Sequence, residues 1–255
     1  MNAAAGPRAA LPLVVLAALV GLWQLAASTG AIADALNLEP FLVPSPAEIG
    51  AALADNRGLL ADNAWVTLKE ILLGLAVAIA IGLAFALLIH LSGILRLSFY
   101  PLLIASQTIP VLVLAPILVV WFGYGPGPKI AIVALVCFFP ITIATAAGLR
   151  AVDTEAIKMM RTLNGSRRQI LAKVEAPAAL PYFFNGARLA AVFAPIGAVF
   201  GEWAGADAGL GHMILIDNGQ LQTARVFAAA LVLSAIALGL FALIAVAERR
   251  VVRWR

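Results

Sequence analysis

Charge, histidine and cysteine are all scarce in this chain. Of 255 residues only 12% are charged, two are histidine and one is cysteine, while 63% are apolar and the mean hydropathy is +1.02. One soluble domain of this length does not hide that much apolar surface, so a soluble enzyme is excluded. The single Cys137 leaves no disulfide framework within the chain, and its place in an apolar run reads as a small buried residue. His90 and His212 stand alone and supply no metal ligand set. There is no G-x-S-x-G and no Ser–His pair at membrane depth, which argues against an intramembrane serine protease. There is also no G-x-x-x-x-G-K-S/T, and the nearest glycine cluster, Gly123–Gly127, lies in a turn, so this chain binds no nucleotide by that loop.

What is present is a set of long apolar runs. Residues 9–33, 71–95, 97–128, 130–149 and 226–247 carry no charge, and 189–206 carries only Glu202. Each comes close to or exceeds the ~20 residues that cross a ~30 Å hydrocarbon layer as helix. The expected fold is an all-α polytopic membrane protein of one domain with six transmembrane helices, at about 9–30, 66–91, 99–123, 130–149, 183–206 and 226–247. The first run follows Arg8 as a secretory signal would, but it continues to about Gly30 and five spans follow, so it reads as a retained helix.

Charge then sets the orientation. With the N-terminus inside, the cytoplasmic segments hold Arg8, Arg96, Arg150, Lys158, Arg161, Arg167, Arg168, Lys173, Arg188, Arg249, Arg250, Arg253 and Arg255, 13 of the 17 basic residues. Arg57, Lys69, Lys129 and Arg225 fall outside. Both termini are therefore expected to be cytoplasmic. The pI near 9.6 reports this asymmetry, not a nucleic-acid partner.

Between the first two spans a periplasmic segment, 31–65, contains Ser45 and Pro46, a helix-start signal for a short amphipathic helix. Gly74 and Gly82 on the second span would allow close helix approach. The third span carries Gln107, Thr108, Pro110 and Pro116. Two prolines free backbone groups that lipid cannot satisfy, so this span is expected to face protein or a cavity. Gln107 and Thr108 then either offer hydrogen bonds to a passing solute or bond to freed backbone and a neighbouring helix. The cytoplasmic loop 150–182 shows two short helical periods, Ile157, Met160, Leu163 and Ile170, Leu171, Val174, separated by Asn164, Gly165 and Ser166. Asn and Gly end a helix in the left-handed conformation and Ser caps the next. Such a helix–turn–helix is either a docking surface or a topological anchor. His90 reads as a residue snorkelling at the cytoplasmic boundary.

The loop resembles that of the permease subunits of ATP-binding-cassette importers served by a periplasmic binding protein. Their pattern is Glu-Ala-Ala, three residues, Gly, nine residues, Ile, one residue, Leu-Pro. It falls here on Lys158, Met159 and Met160, then Asn164, Val174, and Ala176-Pro177; the spacing is kept, while only Pro177 matches strictly and the glycine moves to Gly165. Further segments resemble the branch of nitrate, sulfonate, taurine and pyrimidine-precursor permeases: Pro44-Ser45-Pro46, Trp121-Phe122-Gly123, Phe139-Pro140, Gly148-Leu149-Arg150 with Asp153, Pro177 to Pro181, and Gly201-Glu202 followed by Gly209-Leu210-Gly211. The likeness runs from Trp23 to Trp254. Residues 106–110 and 201–211 look most like permeases for hydroxymethylpyrimidine, a thiamine precursor, with sulfonate- or nitrate-like solutes as the other choice.

The resemblance implies a place in a bacterial inner membrane and a dimer, with a second copy of the permease as the expected partner, two cytoplasmic ATP-binding subunits that hold ATP-Mg, and a periplasmic solute-binding protein; this chain itself would bind no cofactor and catalyse nothing. It also implies that Lys158, Met159, Met160, Leu163, Asn164, Gly165, Ser166 and Pro177 form the ATPase-coupling loop. Gln107, Thr108, Pro110, Glu202 and Trp203 are the candidates for the translocation path or gate. For Glu202 three readings stand: exposure to external headgroups; a place beside a smooth face of Gly201, Gly205 and Gly209, where it serves an external gate or accepts a hydrogen bond from a ligand donor such as an aminopyrimidine; or the titrating group of a proton-coupled secondary transporter. The last is expected to show an internal repeat, and none is evident.

Overall fold

A computed structural model describes residues 6–253, the side chains of 6–10 excepted. Arg255 and Trp254 lie outside the described residues. Among these residues there is no β-strand. The chain divides into two compact units, one of residues up to Asn63 with Met213–Val232, the other of Ala64–His212 with the residues from Leu233 on.

In the first unit, α1 (Gly6–Ser28) is followed by a short α2 (Ala31–Leu36), a 3-10 turn at Pro40–Leu42 and α3 (Pro46–Asp55). The Ser45–Pro46 start signal is realised as a full capping box: the Ser45 hydroxyl accepts from the Glu48 amide and the Glu48 carboxylate accepts from the Ser45 amide at 2.7 Å. The Gln24 side chain accepts from the Ala47 amide at 2.9 Å, tying α3 back to α1.

The second unit holds the core. It contains most of α4 (Arg57–Leu91), then α5 (Gly93–Ser106), α6 (Val111–Phe122), α7 (Pro126–Arg150), α8 (Thr154–Thr162), α9 (Arg167–Ile170), α10 (Ala176–Gly205), and the ends of α11 (Leu210–Gly219) and α12 (Thr223–Val251) that flank the first unit's Met213–Val232. Thr67, Glu70, Ile71, Gly74, Leu75, Ala78, Gly82, Ala86 and Ile89 form one buried stripe along α4 at three- and four-residue spacing. Ile71, Leu75 and Ala78 meet Val133, Cys137 and Ile141 of α7, Ala190, Ala191, Ala194 and Ala198 of α10, and Leu240 of α12. Gly74 and Gly82 lie directly against Val133 and Ile141. Membrane helices gain little from hiding apolar surface from lipid, so close approach over small residues is what holds this contact. Cys137 is fully buried, as its residue type suggested.

Among the described residues five helices are long and apolar enough to cross a membrane, and a sixth crossing exists if α5 and α6 count as one. The stretch expected as a single span at 99–123 is broken at Gln107–Pro110 and bends by 101°. Pro110 has no amide hydrogen to continue α5 and stands instead as the N-cap of α6, with φ −63° and ψ 122°. Two helix starts also move. The second apolar run begins its helix at Arg57, and the expected loop 150–182 is helical again from Arg167, through a π-helical turn at Leu171–Glu175 directly into α10. Pro177 therefore stands in the first turn of α10, where proline is tolerated, while Pro181 and Pro195 lie inside that helix.

Candidate functional site

Three places gather the residues singled out by sequence. The first is the break between α5 and α6. Thr108 turns its hydroxyl back on its own helix, donating to the Ala105 carbonyl at 2.7 Å, and Pro110 serves as a cap. Gln107 instead lines a groove of about 460 Å3 with Phe139 and Pro140 of α7 and Asn185, Leu189 and Phe193 of α10. Two amide side chains and two phenyl rings thus border one groove. Each amide offers both a donor and an acceptor, and the rings offer apolar faces. Asn185 and Phe193 were not singled out by sequence, and Phe139 only within the Phe139-Pro140 resemblance; the groove that joins them to Gln107 is visible only in the fold.

The second place is the corner between α10 and α11. Glu202 is 1% exposed, so the headgroup-exposed reading is overturned. Its Oε1 accepts from the Thr67 hydroxyl at 2.6 Å; its Oε2 accepts from the amides of Gly211 at 2.5 Å and His212 at 3.1 Å. Thr67 in turn accepts from the Leu210 amide at 2.8 Å. A carboxylate and a hydroxyl from two other helices thus satisfy the first amides of α11, whose positive end attracts the negative charge. Trp203 donates from Nε1 to the Gly211 carbonyl at 2.9 Å and packs edge-on against Phe200.

The smooth face of Gly201, Gly205 and Gly209 does not exist, because α10 ends at Gly205. Gly209 has φ +124°, and a β-carbon there would land on the Glu202 carboxylate; glycine is what lets the chain turn over the carboxylate. Beside this corner, Lys129 pairs with Glu70 at 3.3 Å with both side chains buried. Lys129 is thus not the solvated loop charge that counting suggested. Sequence reading passed over Glu70 and Thr67, although both sit on the buried stripe of α4, and that spacing was the available signal. With both Glu202 oxygens bonded within the protein, nothing supports a proton-coupled carrier.

The third place is the α8–α9 loop. Asp153 caps α8 by accepting from the Glu155 amide at 2.9 Å. Asn164 takes the left-handed conformation at φ 58°, the Gly165 amide donates to the Met160 carbonyl at 2.8 Å, and Ser166 forms a capping box with Gln169. The expected helix–turn–helix is therefore present. A β-carbon on Gly165 would sit 2.6 Å from the Met160 carbonyl. Lys158 reaches only Glu155, at 2.8 Å on the surface; Met159 is 60% and Leu163 71% exposed, while Met160 and Pro177 are half-buried. At the far end of the π-helical turn, His90 Nε2 lies 2.8 Å from Glu175 Oε2 with both side chains nearly buried. That pair replaces the expected snorkelling histidine.

A bundle of apolar helices with small-residue contacts, one broken span and an exposed capped helix pair is the architecture of a polytopic membrane protein. Residues 76–253 match the family model of the binding-protein-dependent transport system inner membrane component, and the chain belongs to that family. It is a membrane-spanning permease subunit of an ATP-binding-cassette importer. It is 40% identical over 230 residues to a probable ABC transporter permease of Haemophilus influenzae, covering 90% of this chain and 91% of that one. It is 38% identical to the formylaminopyrimidine transport permease of Halalkalibacterium halodurans (85% and 87% covered), and 36% to the riboflavin transport permease of Chloroflexus aurantiacus (84% and 81%). Among solved structures, the methionine ABC transporter in inward-facing conformations matches with a TM-score of 0.63 at 23% identity, over 77% of this chain and 96% of that one, a likeness of fold.

Proposed function

We propose that this permease works as a homodimer that imports a nitrogen heterocycle of the pyrimidine-precursor kind, handed over by a periplasmic binding protein and driven by two separate ATP-hydrolysing subunits. The observation that carries the reading is the exposed α8–α9 loop. Two short helices locked by Asn164, Gly165 and Ser166 leave Met159 and Leu163 uncovered, which suits a partner's groove. In this reading the loop and both termini are cytoplasmic, and the expected charge asymmetry supports that orientation. The solute class is favoured by the relatives that carry formylaminopyrimidine and riboflavin, at 38% and 36% identity, over the aliphatic sulfonate and taurine permeases at 29% and 30%. The groove at Gln107 and Asn185 is where such a solute would pass: amides match the donor–acceptor edge of an aminopyrimidine, and Phe139 and Phe193 match its flat faces.

Transport proceeds by alternating access, with ATP binding in the partner subunits closing the loops of the two copies together. Gly165→Val tests the docking role, because the added side chain collides with the Met160 carbonyl. Expected is an inserted permease that loses ATP-dependent uptake in proteoliposomes containing the whole complex, with the ATPase lost on purification. Full uptake with the ATPase retained would sink the docking role. A mere charge anchor predicts the reverse, with the larger effect from removing Arg167 and Arg168 together.

A further inference from the structure

At one end of the α10–α12 contact lies a cavity of about 500 Å3, lined by Arg188, Arg249 and Arg253 against one carboxylate, Glu248, with Ala245 and Val252 as its apolar wall. Arg188 Nη2 holds Glu248 Oε2 at 3.3 Å, and its guanidinium lies 5.7 Å from the Phe241 ring centre. Its Nε is buried and donates to nothing. Arg253 spends its Nε on the Arg250 carbonyl. Three guanidiniums facing one carboxylate leave two positive charges uncompensated. Arg249 and Arg253 are exposed at the end of α12, so this surplus positive charge is open to an anion from the headgroup layer.

We propose that this cavity holds the phosphate of an anionic glycerophospholipid. A phosphate offers oxygens to several guanidinium forks at once and to the orphaned Arg188 Nε. Basic pockets between membrane helices near a cytoplasmic boundary take such headgroups, and α12 is a candidate span that ends at Val251 in the basic pair Arg249 and Arg250. The lipid source is preferred to free phosphate because Ala245 and Val252 form an apolar wall and the exposed Val246 lies one helical turn before Arg249 on α12, which suits an acyl chain. The proposal is independent of the solute and of the docking loop, since no residue of either lines the cavity.

The test uses the purified full-length permease in a neutral detergent. Its unfolding midpoint is measured with added phosphatidylglycerol, phosphatidylcholine or inorganic phosphate, and retained lipid is counted by native mass spectrometry. Phosphatidylglycerol should raise the midpoint saturably and stay bound, while phosphatidylcholine and inorganic phosphate should not. The double variant Arg249→Gln with Arg253→Gln should weaken phosphatidylglycerol binding by about thirtyfold, the loss expected for two guanidiniums near a lipid surface. If that variant is too unstable to purify, Arg249→Gln alone should weaken it about fivefold. Equal effects from the two lipids, an equal effect from inorganic phosphate, or unchanged binding in the arginine variants would each overturn the proposal.

Discussion

The α7–α10 pair and the α5–α6 pair are both strongly apolar, yet they are built in opposite ways. Where α7 meets α10 the chain has alanine and glycine: Ala190, Ala191, Ala194 and Ala198 are fully buried, and Gly186 lies so close to α7 that a β-carbon would be 2.6 Å from the Pro140 carbonyl. Along α6 the side chains are large and outward, with Val120 82%, Trp121 73% and Phe122 66% exposed. In water this would mean that α6 is misplaced. In a membrane, large apolar residues rest in lipid or against a second subunit at no cost, and the packing information is carried by small residues. One pair is therefore the packed frame, and the other is left uncovered within this chain, as the proposed solute path and second copy require.

The contrast is broken most severely by Gly186→Leu, which drives a branched side chain into the Pro140 carbonyl and Ala144. Overpacking costs about 1–3 kcal/mol or more where backbone must shift. The expected result is a large fall in the detergent unfolding midpoint, or loss of monodisperse protein; a variant as stable as the parent would refute the frame. Next comes Glu202→Leu, which strands the Gly211 and His212 amides at the start of α11. Buried groups left without a partner cost about 1–3 kcal/mol, so the midpoint should drop and limited proteolysis should open the chain near residues 203–212. Glu202→Gln, which still presents an acceptor oxygen, should lose less; if it loses as much as leucine, capping is not what Glu202 does. At the broken pair, Gln107→Leu should leave stability within about 0.5 kcal/mol, with uptake by the whole complex falling roughly tenfold if one hydrogen bond to charge-bearing or polar solute is lost. Unchanged uptake would remove Gln107 from the path. Smallest of all, Val120→Ala should change neither stability nor uptake measurably.

Much of this architecture was legible in the chain itself, and the exceptions share a cause. Charge-free runs located the helices because only a helix satisfies its own backbone in lipid. Ser45-Pro46 and Asn164-Gly165-Ser166 located local ends because caps and left-handed turns are decided within a few residues. The unread features depend on neighbours distant in sequence. Glu202 bonds across 135 residues to Thr67 and Glu175 across 85 to His90, so a count of charges per loop could neither pair them nor keep Lys129 out of solvent. Pro110 announced an interruption, but whether a proline kinks a span or breaks it through 101° is decided by what α7 and α10 leave room for. The π-helical turn at Leu171–Glu175 was likewise invisible, since its residues suit an ordinary helix.

Cys137 has a use beyond packing. Its sulfur faces the Ala190 carbonyl at 3.4 Å in the middle of the α7–α10 contact, with no surface exposed to solvent. The natural chain is thus already a silent background for thiol mapping. A cysteine placed at Gln107, Leu163 or Val120 would be the one accessible thiol, so its labelling at each stage of the ATP cycle would report on that position alone, and the helix contact at the centre of the frame need not be altered to read the segments around it.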